Sequence, residues 1–473
     1  MFTLSVQGLT YFLIYTIFSS ALGMFQFGFN SGVINAPELN IEKFIKDVYR
    51  SRNSTDIEDG NVKFIFIIIV SIFAIGGMLG GFSGGTIANR FGRKKGILLT
   101  CLIDIIGACL MGFSKLFNSY EMLFIGRFMI GISCGLHTVL VPMYISEISP
   151  KNLRGGIGVV NQLGVGLGLT VSEILGIDQL LGTDNNWNIL LGLSICSPIL
   201  QLICLPFCYE SPRYLLITRW KEDEAREALK KLRASDEVEE DIDEMKAEQR
   251  AQQSESSFSI MELITSKTLR LPLLIGIIVQ LSQQLSGING VLYYSTSIFE
   301  STGLSIQTAK FLTIGTGVIL VVMALVIMPL IDCAGRRTLL LSGVGGMFIF
   351  SVCITVSFVM KGFLDWMTYF SVVATFGFVV CFALGPGSIA WMITAELFSQ
   401  GPRPTAISIA VLVNWFANFL VGVGFPTIAA YLGNFTFVPF SVLLASFWIF
   451  TFYKLPETKN KTFEEILNFF KHS

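Results

Sequence analysis

The sequence predicts an all-α membrane protein. It should have about 12 transmembrane helices of roughly 20 apolar residues each, arranged as two pseudo-symmetric six-helix bundles joined by a cytoplasmic helical linker. Three observations carry this expectation. Of 473 residues, 52% are hydrophobic and only 14% charged, against about 25% charged in soluble domains. The charges are clustered, with long apolar segments between the clusters. Charged loop motifs of the first half also recur in the second half at nearly constant spacing.

In chain order, residues 1–209 form a first bundle, with spans starting near Tyr11, Phe64, Ile97, Glu121, Ile157 and Trp187. The first apolar segment is too long for a cleaved signal peptide and runs on without a small-residue cleavage site. Residues 210–270 are polar. Their stretch KEDEAREALKKLRASDEVEEDIDEMKAEQR mixes charges and favours helix, so it reads as short surface helices. A second bundle over 271–455 has spans starting near Leu271, Thr308, Leu339, Trp366, Thr405 and Phe435, and 456–473 form a tail. With both termini inside, the inner loops and tail hold most of the Lys and Arg, as the positive-inside rule requires. The polar loop at 38–63 then lies outside. It contains Asn53-Ser54-Thr55, a glycosylation sequon on an accessible face.

The repeat is visible residue by residue. Glu147 and Arg154 in SEISPKNLRGG recur 249 positions later as Glu396 and Arg403 in AELFSQGPRPTA. Arg93 in RFGRKK matches Arg336 in AGRRT, and Glu210 in YESPRYL matches Glu457 in LPETKNK. Such matches argue for duplication of one helical unit, as in many secondary transporters.

Net charge is −1, which gives no electrostatic reason for a nucleic-acid partner. The nine cysteines lie in or beside apolar segments, and His137 and His472 are the only histidines. No disulfide framework, metal site, cofactor or catalytic constellation is expected. The informative chemistry is an amide-rich run inside an apolar stretch, QLSQQLSGINGVLYYST from Gln280 to Thr296. Each amide has an acceptor and two donors, so it can grip neighbouring hydroxyls of a neutral polyol. Gln280, Gln283, Gln284 and Gly287 share one helix face. Asn289 falls off that face, but Gly287 and Gly290 bracket it, so a local break should turn Asn289, Tyr293 and Tyr294 to the same cavity. The competing reading is that the amides only join helices together.

The motifs FQFGFNSGVINAP, NRFGRKKG, GRFMIGISCGL, VPMYISEISPKNLRGG, NQLG, YESPRYLL, QLSQQLSGINGVLYYSTSIF, AGRRTL, AELFSQGPRP, NWFANF and LPETKNKTFEEI occur in order over nearly the whole chain. With them the chain resembles the sugar porter family of the major facilitator superfamily, and most of all the animal facilitative glucose transporters. The resemblance implies sugar contact by Gln162, Gln283, Gln284, Asn289 and Trp391. Phe382, Trp415 and Asn418 are further lining candidates, with Gln280, Tyr293 and Tyr294. An indole suits a sugar, offering an aromatic face and one N–H donor; its alternative role is a core aromatic.

Two positions depart from the family pattern. Leu320 stands where an Asn is usual, and Ala383 where a Glu is usual, so altered affinity or a broader sugar range is expected. Asn30 occupies the position of the Asp of proton-coupled relatives and cannot titrate, which favours uniport of D-glucose and related hexoses across the plasma membrane. A proton symporter and a transport-dead sensor are the alternatives. Asp104 and Glu173 are acids inside spans and keep the symporter open. At the inner face, Arg93, Arg154, Arg336 and Arg403 face Glu147, Glu210, Glu396, Asp332 and Glu457. They read as ion pairs of a cytoplasmic gate between rocking halves, beyond what topogenic charge alone would supply. Pro386 between two glycines should loosen the tenth span.

Overall fold

The computed structural model describes residues 8–252 and 259–472, and the side chains of Tyr293 and Tyr294 lie outside the described residues. Among the described residues the secondary structure is helical throughout, with no strand. Among the described residues, eleven helical segments are long and apolar enough to cross a membrane. A twelfth apolar helix, Val438–Lys454, has 17 residues. The expected fold class is therefore observed.

The spans begin within a few residues of the expected positions: Tyr11–Gly32, Asp59–Phe91, Arg93–Phe113, Tyr120–Ile148, Arg154–Leu175 and Trp187–Phe207 in the first half. Short polar residues at their starts explain several onsets. Thr10, Ser119 and Ser305 each accept a hydrogen bond from the backbone N–H three residues on, satisfying a donor that the helix itself leaves free. Large apolar side chains such as Phe64, Phe82, Ile106 and Val322 are exposed on the outside of the bundles, as a hydrocarbon solvent demands.

The loop at 38–63, expected outside, contains a helix, Glu38–Asn53, docked through Ile41, Phe44, Ile45 and Val48, with Phe44 against Trp187. Asn53 ends it and is exposed. The linker contains Glu222–Arg233, Glu239–Gln252 and Ile260–Thr265, and the tail forms Phe463–His472.

The seventh span is in two pieces. Arg270–Gln284 ends, Gly287 adopts φ +93°, and Ile288–Ser301 begins. That backbone conformation suits glycine, which has no Cβ to clash. The expected break is present, immediately before Asn289. The tenth span is likewise divided, at Gly385, into Met367–Leu384 and Pro386–Leu397. Pro386 has no N–H to continue the ladder, and the Ser388 hydroxyl donates to the Ala383 carbonyl at 3.2 Å across the break. The eighth, ninth and eleventh spans are Ile306–Ala334, Arg336–Met360 and Arg403–Phe435.

The halves meet along two helix pairs, the eleventh span on the second and the eighth on the fifth. Small residues permit the first of these. A Cβ at Gly77 would run into the Trp415 ring. Ser408 donates to the Gly81 carbonyl and accepts from the Gly85 N–H, both at 2.7 Å.

Candidate functional site

The amide run is assembled by the two breaks. Gln283 donates to the carbonyls of Pro386 and Gly387 at 3.3 and 3.2 Å, at the start of the second piece of the tenth span. Gln280 donates to the Ala390 carbonyl at 2.8 Å. Asn289, carried by the second piece of the seventh span, donates to the Gln284 side-chain oxygen Oε1. These residues are 2–7% exposed, so nearly every bond is made within protein.

Their common partner is Asn414, which the sequence reading passed over. Its amide NH2 donates to Gln280 at 2.6 Å and Gln283 at 2.7 Å, and its oxygen accepts from Gln284 at 3.2 Å. One eleventh-span side chain thus ties three seventh-span glutamines. The signal was available: Asn414 opens NWFANF, an amide pair at i, i+4 in an apolar helix, of which only Trp415 and Asn418 were chosen.

Next to Ala390, which accepts from Gln280, the Trp391 indole N–H donates to Gln162 of the fifth span at 3.0 Å. This links the halves through two expected sugar contacts. Phe27 of the first span meets Trp391 and Trp415 edge-on, with centroids 6.0 and 5.1 Å apart. The N–H of Trp415 is committed to Thr138 at 3.1 Å, so this ring wedges between halves. Phe382 lies against Gly387 at the tenth-span break, and Asn418 is buried. Leu320 and Ala383 are fully enclosed; Leu320 packs on Gly166 where the fifth and eighth spans meet.

The intramembrane polar groups are placed as follows. Asn30 donates to the Gln26 carbonyl of its own helix at 2.9 Å, and Arg127 donates to the Asn30 carbonyl at 2.8 Å. Asp104 contacts His137, Ser133 and Gln26. Glu173 lies beside Gly317 of the eighth span, its Oε2 buried without a hydrogen-bond partner.

At the face expected to be cytoplasmic the acids and arginines do pair, in a crossed pattern. Glu147 accepts from Arg93 of its own half at 2.8 Å and from Arg403 of the other half at 3.1 Å. Glu396 accepts from Arg336 of its own half at 3.0 Å and from Arg154 of the other at 3.3 Å. All six groups are buried. Asp332 of the eighth span also crosses, accepting from the N–H groups of Gly155 and Gly156 at 3.2 and 2.9 Å.

Glu210 and Glu457 differ from the expectation. Instead of pairing with arginine side chains, each caps a helix. Glu210 accepts the backbone N–H of Arg93 and Lys94 at 2.8 and 3.1 Å. Glu457 accepts those of Arg336 and Arg337 at 3.0 and 3.2 Å. The preceding glycines, Gly92 and Gly335, have φ +87° and +88°, and a Cβ on either would strike its carboxylate. Carboxylates suit the positive ends of helix dipoles, so these acids set the ends of two equivalent helices.

Linker and tail brace this face. Arg213 pairs with Glu248 at 2.7 Å and Glu244 at 3.0 Å, and Glu248 also accepts the Gln400 backbone N–H. Burial alone would lower the Arg213 pKa, but the facing Glu248 and Glu244 carboxylates more than offset it and raise it. The Phe463 ring of the tail receives Arg154, Arg213 and Arg403, at 4.8, 4.8 and 4.1 Å from its centroid. Sequence reasoning gave no hint of this stacking.

Two repeated helical bundles, a buried amide cluster at paired helix breaks and crossed ion pairs at one face define a major facilitator carrier. Comparison with known proteins agrees. The family model described as "Sugar (and other) transporter" matches residues 16–470, and the chain belongs to that family. It is 47% identical over 97% of its length to a sheep (Ovis aries) protein named solute carrier family 2, facilitated glucose transporter member 3, covering 92% of that protein. It is 46% identical over 96% of its length to the chicken (Gallus gallus) facilitated glucose transporter member 1, again covering 92%. Among solved structures, the proton:xylose symporter XylE bound to 6-bromo-6-deoxy-D-glucose superposes with a TM-score of 0.86. That match has 23% identity and covers 97% of this chain and 99% of that one; it speaks to the fold.

Proposed function

We propose that the protein is a facilitative uniporter of D-glucose and related hexoses in the plasma membrane, working by alternating access with both termini cytoplasmic. The observation that carries this reading is the buried amide cluster of Gln283, Gln284 and Asn289, together with the Trp391–Gln162 pair that links the halves. It occurs in a chain close to half identical to proteins named facilitated glucose transporters. On this reading Gln162, Gln283, Gln284, Asn289 and Trp391 exchange their mutual hydrogen bonds for sugar hydroxyls. Such an exchange costs little net energy and needs few new groups. Asn414 holds the glutamines in place. The crossed pairs of Glu147 and Glu396 close the inner gate while the site is shut off from the cytoplasm, and residues 1–209 and 271–455 rock as two units about it.

Uniport is favoured by Asn30, whose amide carries no exchangeable charge and bonds within its own helix. Glycosylation at Asn53 fits its exposure at the end of the outer helix.

Labelled D-glucose uptake into proteoliposomes, with and without an imposed pH gradient, tests the reading. Equilibrative uptake that ignores the gradient, is competed by other hexoses and occurs without proton flux is expected. Accumulation driven by the gradient would make the protein a symporter, and no uptake would leave a sensor.

A further inference from the structure

The fifth and eighth spans meet along a seam between the two halves, and the two ends of that seam are built differently. At the end near the crossed ion pairs, Asp332 of the eighth span accepts from the N–H groups of Gly155 and Gly156 at 3.2 and 2.9 Å. It also pairs with Arg336 at 3.2 Å. Shutting this end therefore makes hydrogen bonds. In the middle, Leu320 packs on Gly166. At the far end, Glu173 of the fifth span lies against Gly317 of the eighth. A Cβ on Gly317 would stand 3.0 Å from Glu173 Oε2 and 2.6 Å from Thr170 Oγ1. Oε2 is enclosed there and has no hydrogen-bond partner.

The neighbours explain why it has none. Thr170 donates its hydroxyl proton to the Gly166 carbonyl at 2.8 Å. Gly317 has no side chain and lies inside the continuous helix Ile306–Ala334, whose backbone N–H groups are used by the helix itself. Lys310 is the single base in that helix. It lies about 10 Å along the axis from Gly317 and is engaged with Asp178 at 3.2 Å.

A polar oxygen enclosed without a partner costs free energy that hydration recovers. Glu173 is two residues from the end of the helix Val160–Leu175, so a small separation of this end brings its carboxyl to water. The cost thus falls on every state in which the far end is shut and disappears when it opens. The Asp178–Lys310 pair opposes opening only weakly. Its side chains are 68% and 41% exposed, and such pairs contribute little. The same two helices are latched at one end by Asp332 and sprung at the other by Glu173.

We propose that Glu173 is an outer-gate residue that sets the resting orientation of the carrier: its unpartnered carboxyl biases the ligand-free protein toward the state open to the outside. The proposal rests on the transport reading above, which makes the far end of the seam the extracellular one.

Two measurements on the full chain test it, comparing the wild type with Glu173→Leu, which removes the enclosed oxygen and keeps an apolar filling. The first is inhibition of labelled D-glucose uptake by external maltose. One ring of maltose can enter the site while the second keeps the outer end from shutting, so it binds only the outward-open state. Its inhibition constant should rise at least about threefold in the leucine variant, in inverse proportion to the outward-open fraction. The second is amide hydrogen exchange of the ligand-free protein. Residues 166–176 and 308–318 should exchange at least about threefold more slowly in the variant, while 153–160 and 328–336 at the other end should not slow. A variant that was merely less stable would exchange faster at both ends. Glu173→Gln keeps a polar head of the same shape and should fall between wild type and leucine in both measurements. A leucine variant with wild-type inhibition and exchange, or a glutamine variant shifted further than leucine, would overturn the proposal. Absence of glucose uptake by the wild type would instead refute the transport reading, and the exchange comparison would still test the seam.

Discussion

Glu147 binds Arg403 across the interface at 3.1 Å, and both side chains are fully shielded from water. Removing one member of such a pair strands the other as a buried charge, at a cost of about 3–5 kcal/mol. Glu147→Gln or Glu396→Gln should therefore destabilise the closed inner face more than an open one, where the arginines reach water. A differential of roughly this size can invert a two-state population. Cysteine-accessibility labelling at the cytoplasmic face should show increased modification in both variants, with a lower maximal rate of glucose uptake. Unchanged labelling would remove these residues from the gate.

Glu210 and Glu457 are helix caps, and their loss should be read in stability instead of gating. Glu210→Ala and Glu457→Ala each leave two backbone N–H donors without their side-chain acceptor, at about 0.5–2 kcal/mol per cap. Thermal unfolding in detergent should show a similar fall in Tm for both. Glutamine keeps an acceptor oxygen and should restore part of it.

The Trp391 indole offers a ring and a donor, and the two can be separated. Trp391→Phe keeps the apolar face and removes the bond to Gln162. A lost hydrogen bond of about 0.5–1.5 kcal/mol should raise the KM for glucose by up to about tenfold. Trp391→Leu should lose both and abolish measurable uptake.

Asn414 satisfies three glutamines at once. Asn414→Leu leaves all three buried amides short of a partner, each worth roughly 1 kcal/mol or more. Uptake should fall by at least about tenfold, with folding intact as judged by size-exclusion profile. A variant with wild-type KM would show that the glutamines do not need this anchor.

Leu320 and Ala383 lack the polar groups that the family pattern offers at these positions. Leu320→Asn places an amide beside Gly166 at the fifth–eighth contact. It should lower the KM for glucose by up to about tenfold if one hydrogen bond to sugar is gained. Competition by several hexoses, compared with wild type, should show the sugar range narrowing as well.

Much of this was legible in the sequence for definable reasons. Apolar length gave the spans, and Gly287 and Pro386 marked the breaks because their backbone chemistry leaves few alternatives. The pairing of Glu147 and Glu396 with arginines followed from repetition of charge. Glu210 and Glu457 were misassigned because a carboxylate repeated beside arginine looks the same whether it meets the side chain or the backbone N–H. Asn414 was missed because it lies in a different span from the glutamines it binds, and no local spacing connects them. Phe463 is likewise remote in sequence from its three arginines.

The two breaks have a further consequence. The seventh and tenth spans are divided, whereas their counterparts by duplication, Tyr11–Gly32 and Tyr120–Ile148, run unbroken. A duplicated structure has thus divided its labour. At these two positions the first half has unbroken rods, which pass a displacement along their length. The second half has joints at Gly287 and Gly385, the points at which the alternating-access reading has it bend. Amide hydrogen exchange should be fastest around these two joints and slow at the matching points of the first half.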